Sequence, residues 1–208
     1  MSPESLAGVL IRPARFDDDS RVARLLALRG ISVEEALEQA PRMIAALPVL
    51  LLASLPVAGA DASAPASRPA VEANAAAPAP LPVAEVNEED SAAPVALSGA
   101  FLLPGDLEAG RPERWMVSGL IVDPDARRRG IARALLAAVA EAVQEIAPGE
   151  DLFSVVEADN HASVAAHLAA GFIEVDRVDG YAGLSFDGQA LLLRLPGSLE
   201  SQETGPEH

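Results

Sequence analysis

Leu120-Ile-Val-Asp-Pro-Asp-Ala-Arg-Arg-Arg-Gly-Ile-Ala-Arg-Ala-Leu-Leu136 decides how the chain is read. Leu120 to Val122 end an apolar strand, Pro124 turns the chain, and Ile131 opens a run with apolar residues at helical spacing. The first turn of such a helix presents N–H groups that have no intrahelical partner. The helix dipole favours negative charge at the same point. Gly130 lets the backbone approach a ligand closely, while Arg127, Arg128 and Arg129 bring positive charge to it. The guest that suits this cradle is a diphosphate.

Around that local positive feature the chain is strongly acidic. Fifteen basic residues, all of them arginine, oppose 31 acids, for a formal charge of −16. Such a surface repels nucleic acid and anionic membranes, so neither is expected as a partner. With no cysteine, disulfides, thiolate metal sites and a cysteine nucleophile are excluded, and three histidines make a histidine-rich metal site improbable. The first residues show no secretory pattern, and a cytoplasmic location is expected. Met43 to Ala60 form an uncharged stretch of 18 residues, close to a membrane span in length. Pro48 and Pro56 interrupt it, so it reads better as a helix end followed by a buried strand, Val49–Leu52.

The pattern predicts a mixed α/β domain over residues 8–195. Val9–Arg12 reads as a first strand, Arg15–Arg29 as a helix stopped by Gly30, and Ser32 with Glu35 as a capping box for a second helix ending near Leu47. Between Gly59 and Pro80, 14 of 22 residues are alanine or proline, which predicts a flexible insert over about 56–82. Beyond it, Val83–Val86 and Val95–Leu103 read as paired strands. Val49–Leu52 and Val83–Val86 therefore compete for one position in the sheet, or share it. Strands follow at Trp115–Val122, Leu152–Val156, Phe172–Val178 and Gln189–Leu195, with helices at Ile131–Ile146 and His161–Ala170. Residues 196–208 read as a disordered tail. The expected order is β-α-α-β-β-β-α-β-α-β-β: a central mixed sheet of about six or seven strands with about four helices.

At Arg127-Arg128-Arg129-Gly130-Ile131-Ala132 the chain resembles the GCN5-related N-acetyltransferase (GNAT) superfamily, whose fingerprint Gln/Arg-x-x-Gly-x-Gly/Ala follows a strand ending Val-x-Pro, here Val122-Asp123-Pro124. A second family motif, a strand, an Asn, a short helix and Gly-Phe, is matched by Val155 to Asn160 and then Gly171-Phe172. Ile11-Arg12-Pro13-Ala14 fits the family's first strand more loosely. Arg128 stands where many members have glycine, and Ala132 takes the last glycine position. The resemblance implies acetyl transfer from acetyl-CoA to a primary amine, directly, in a ternary complex. It implies a pyrophosphate held by the backbone from Arg127 to Ala132, through Arg128, Arg129, Gly130 and Ile131. A pantetheine arm would lie along Leu120, Ile121 and Val122 in the manner of an added strand, with Asn160 beside it. The acceptor would be a small-molecule or peptide amine, and the protein a monomer or homodimer.

Acetyl transfer to an amine needs a deprotonated nucleophile, a stabilised oxyanion and a proton for the departing thiolate. The oxyanion donor would be a main-chain N–H of the strand ending at Val122. Where the family typically has a tyrosine acid, this chain has His167, seven residues after Asn160 and so on nearly the same helix face about 10 Å along the axis. Glu157, at the end of its strand, is the candidate base, ahead of Glu113 and Asp159. Tyr181, the chain's single tyrosine, is an alternative acid or a loop anchor. A rival reading is an acyl-CoA-binding sensor without catalysis, and another is an interaction protein that works through its Ala/Pro insert.

Overall fold

The computed structural model describes residues 8–56, 92–106, 108 and 110–197. Val83–Val86, the insert after Pro56, and the tail beyond Gly197 lie outside the described residues. Among the described residues, seven strands and four α-helices follow in the expected order. They are β1 (Leu10–Pro13), α1 (Asp19–Ala27), α2 (Val33–Ala46), β2 (Val49–Ser54), β3 (Pro94–Leu103), β4 (Arg114–Val122), α3 (Ile131–Ile146), β5 (Leu152–Glu157), α4 (His161–Ala169), β6 (Ile173–Tyr181) and β7 (Leu184–Leu195). The sheet order is β1-β2-β3-β4-β5-β7-β6. Only β4 and β5 run parallel; every other neighbouring pair is antiparallel.

The second sheet position belongs to Val49–Ser54, which pairs with β1 on one side and β3 on the other. Burial explains the choice. Val49, Leu51 and Ala53 pack toward α3, while Leu50 and Leu52 pack toward α1 and α2. A strand covered on both faces reads as a continuous apolar run rather than an alternation. That accounts for the uncharged stretch from Met43: α2 ends, Pro48 turns the chain, and β2 begins. Among the described residues, no helix is long and apolar enough to cross a membrane.

The two layers are unequal. Leu135, Leu136, Val139 and Val143 of α3 cover the β2–β5 side together with Phe172 and Leu191. On the opposite face Val22, Leu25 and Leu26 of α1 and Ala36 and Ala40 of α2 cover β2, β3 and Ile121 of β4 only. The Ser32–Glu35 capping box forms as expected, with Ser32 Oγ accepting from Glu35 N at 3.2 Å and Glu35 Oε2 from Ser32 N at 3.0 Å.

The predicted helix over 15–29 opens instead with a 3-10 turn, Phe16–Asp18. Asp18 is the reason. Its carboxylate is fully buried and takes both Arg12 guanidinium nitrogens, at 2.7 and 2.8 Å, the Arg15 N–H at 2.9 Å and Arg21 Nη1 at 2.9 Å. Burial alone would raise its pKa, but the Arg12, Arg15 and Arg21 donors outweigh that and hold the carboxyl well below the usual range. This cluster ties β1 to the start of α1.

Candidate functional site

The site is a gap in the sheet. β4 and β5 pair only at Trp115 with Leu152 and Met116 with Phe153. Beyond Met116 the strands part, because each follows its other neighbour: β4 stays with β3 as far as Val122, and β5 stays with β7 as far as Glu157. A β-bulge drives the divergence. Val117 pairs with Ala100 and Leu120 with Ser98, so Ser118 and Gly119 together face the single residue Gly99. Gly119 has φ +130°, which a side chain would resist, and its carbonyl accepts from Ser98 Oγ at 2.7 Å. The result is a wedge with its apex at Met116 and its mouth at the N-terminal ends of α3 and α4.

A cavity of about 550 Å³ fills that mouth. Leu120 and Val122 form one wall, Arg127, Arg128, Gly130, Ile131, Ala132 and Arg133 another, and Asn160, Ala162, Ser163, Ala165 and Ala166 the third. Asp123 sets the turn into the second wall: its side chain accepts from Asp125 N at 3.2 Å and from Arg24 Nη1 at 3.0 Å. The Arg24 bond first, and then the Asp125 amide, lower its pKa. Arg24 also donates to the Pro94 carbonyl, so α1, β3 and the turn are tied together.

The first hydrogen bond of α3 runs from Ala134 N to Gly130 O at 3.1 Å. The amides from Arg128 to Arg133 therefore have no protein acceptor among the described residues, and they stand at the positive end of a 16-residue helix. Arg127 differs from the expectation. Its N–H is spent on Pro124 O at 3.3 Å and its Nε on Val122 O at 3.4 Å, so its contribution is charge rather than a backbone donor. Arg128 has φ +60° and Gly130 φ +77°. The left-handed conformation at Arg128 explains in physical terms why glycine suits that place. Ile121 points away from the cavity into the α1–α2 cluster, and Arg129 lies outside the cavity wall. Arg133 and the small residues of α4, not singled out from the sequence, belong to the site. Their signal was the Ala-rich run after His161.

Asn160 caps α4, its Oδ1 accepting from Ser163 N at 3.1 Å, and it lines the cavity. His167 does not. It is 2 % exposed, packed edge-on against Phe172 with ring centroids 5.1 Å apart. Its Nδ1 lies 2.8 Å from Ser163 O, so Nδ1 carries the proton and donates. Nε2 then accepts from Ser154 Oγ at 3.0 Å. Desolvation lowers its pKa, against the opposing pull of the Ser163 carbonyl. Burial disfavours the charged ring, and both nitrogens are occupied. The spacing from Asn160 was right, but the side chain turns toward β5 and the core, so the thiolate's expected acid is a structural residue.

Glu157 is exposed at the end of β5, beside a second cavity of about 300 Å³ lined by Ala158, Asp159, Gly188 and Gln189. Leu152, Ser154 and Val156 are buried, and the core contacts of Leu152 and Val156 place that row toward α3 and α4. Phe153, Val155 and Glu157 therefore occupy the other face, which α1 and α2 leave open. On the same side Arg114 lies 4.5 Å above the Phe153 ring and donates to Tyr181 Oη at 3.2 Å. Tyr181 is thus anchored at the end of β6. Among the described residues, no group of acids and histidines could hold a metal.

Comparison with known proteins bears on this geometry. The family described as Acetyltransferase (GNAT) family matches residues 52–172. No curated sequence matches the chain. Among solved structures it is similar to a phosphinothricin acetyltransferase from Sinorhizobium meliloti in complex with AcCoA, with a TM-score of 0.57 and 14 % identity over 96 % of this chain and 93 % of that one. It is similar to the aminoglycoside 6′-N-acetyltransferase of Acinetobacter baumannii, with a TM-score of 0.56 and 21 % identity over 84 % and 97 %. A spermidine N-acetyltransferase variant from Vibrio cholerae gives 0.54 and 12 % over 90 % and 93 %. At these identities the likeness is one of fold.

Proposed function

The chain belongs to the GNAT family of acetyltransferases, and on that premise we propose that it moves an acetyl group from acetyl-CoA to a primary amine by direct transfer in a ternary complex. One observation carries the reading: the wedge joins a cationic, amide-rich pocket to an unpaired strand edge. The free amides from Arg128 to Arg133, with the charges of Arg127, Arg128 and Arg133, suit a pyrophosphate. The edge of β4 from Val122 to Leu120 suits an amide-bearing arm, which would add to the sheet where β5 has left it. Ala162, Ala165 and Ala166 leave room for that arm, and Asn160 stands beside it. The solved AcCoA complex of the Sinorhizobium meliloti relative supports the same cosubstrate.

Acetyl-CoA supplies the thioester; the chain supplies position and charge. An arm running from the α3 end toward Leu120 brings its tip to Gly119 and the apex of the wedge. An amine arriving from the face of Phe153 and Val155 meets that tip through the gap between the strands. Glu157 is the base on that face and takes the amine's proton. A main-chain N–H of β4 stabilises the oxyanion. With His167 committed to the core, the thiolate takes its proton from water in the open cleft.

The test is a pair of variants. Acetyl-CoA should raise the melting temperature of the native chain, and Gly130→Asp should abolish the rise by placing a carboxylate at the pyrophosphate pocket. Glu157→Gln should keep the rise and lower kcat for thiol release by about 10²-fold or more. Absence of a rise with the native chain rejects the cosubstrate; full turnover in Glu157→Gln rejects the base.

A further inference from the structure

Two polar groups at the β4 bulge are unexplained by cosubstrate binding. Arg29 lies in the turn between α1 and α2, its N–H bonded to Leu26 O at 3.0 Å. Gly30, at φ +89°, reverses the chain just after it. The guanidinium reaches over β4: a Cβ added to Gly119 would stand 3.3 Å from Arg29 Nη1. Several arginines have carboxylate partners, with Arg12 and Arg21 on Asp18, Arg24 on Asp123, Arg177 on Glu174 and Arg194 on Asp151. Arg29 pairs with no carboxylate among the described residues.

The second group is independent of the first. Ser118 Oγ, in the same bulge, is buried and has no hydrogen-bond partner among the described residues. Buried hydroxyls are nearly always paired, so an orphan here needs an explanation. Its direction follows from Gly99, whose added Cβ would stand 3.0 Å from Ser118 Oγ. Gly99 lies two residues from Leu97, which packs under α1 and α2. Ser118 Oγ and Arg29 therefore share the face from which the amine arrives.

We infer that the acceptor is an amine carrying a carboxylate close to its amino group, bound by Arg29 and Ser118 at the β4 bulge. The inference rests on the acetyl-transfer reading and names the substrate class of that site. Guanidinium and hydroxyl together match the two oxygens of a carboxylate. The bulge is adjacent to the wedge apex where the acetyl group is delivered, so a carboxylate held there leaves its amino group within reach of the thioester. A polyamine would instead bring positive charge against Arg29 and leave Ser118 unpaired. The overall acidity of the chain points toward cationic acceptors; the local charge at the bulge points the other way, and at contact distance it dominates.

The experiment measures thiol release with the full chain, acetyl-CoA and a panel of α- and β-amino acids, their carboxamides, and spermidine. The expected result is a preferred amino acid whose kcat/KM exceeds that of its carboxamide by about 10- to 100-fold. Arg29→Gln should erase that ratio by raising KM for the acid while leaving the carboxamide within about 3-fold, and Arg29→Lys should restore part of it. Ser118→Ala should lower the ratio less. A merely structural arginine would alter acid and amide alike. Spermidine or carboxamides used as well as the acids, or a ratio unmoved by Arg29→Gln, would overturn the inference and leave acetyl transfer standing. Failure of acetyl-CoA to raise the melting temperature identifies the prior reading as the one at fault.

Discussion

His167 shows how little residue identity says about role until its neighbours are known. A histidine seven residues after a helix cap is well placed for acid catalysis, yet Ser154 and the Ser163 carbonyl occupy both ring nitrogens, and burial disfavours the charged ring. Its depressed pKa fixes the sign of a stability effect. The unfolded chain binds a proton near pH 6.5 and the native ring binds it less readily, so stability is fully present above about pH 6.5 and declines as pH falls below it. Melting temperature should therefore fall between about pH 6.5 and 5, and His167→Gln should flatten that slope. Asp18 behaves in the opposite sense. Its folded pKa is depressed, so its contribution is present above the ordinary aspartate value of about 4 and is lost in stronger acid. Asp18→Asn leaves buried guanidinium charge uncompensated and should cost about 3 kcal/mol or more in denaturant unfolding at pH 7. Neither role was visible in the chain itself, because both depend on partners brought in by packing: Ser154 from β5, and Arg12 from β1.

At the level of elements, β4 carries most of the site. Its apolar run, the proline turn and the arginine triplet were readable as strand, turn and helix start, and the structure has those elements in those places. The bulge was not readable. Ser118-Gly119 looks like ordinary strand sequence, and only the register against Ser98 and Ala100 shows that two residues oppose one. The second sheet position was open for a related reason: Val49–Leu52 and Val83–Val86 both read as strands, and pairing with β1 and β3 gives the position to the first. α4 contributes by what its side chains lack. Ala166→Leu should intrude into the cavity, raise KM for acetyl-CoA several-fold and shrink its thermal shift, while melting of the unliganded chain changes little.

Across the whole molecule the two halves of the sheet are unequally covered. β2, β3 and part of β4 lie between two helical layers, whereas the α1–α2 cluster does not extend over β5, β7 and β6, and β6 is exposed along most of its length. Amides of β2 and β3 should exchange with solvent deuterium slowest, near the global unfolding limit, and those of β6 fastest among the strands. Uniform protection across the sheet would contradict this layering. The parting of β4 from β5 has a further consequence, for traffic. On the proposed reading, a cosubstrate seated against α3 and α4 enters from one side of the sheet, and an amine approaching Glu157 and Arg29 enters from the other. Neither substrate stands in the other's doorway. That reading predicts an unconstrained binding order in which either product can depart first: initial-rate plots should intersect, and each product should inhibit whichever substrate is varied.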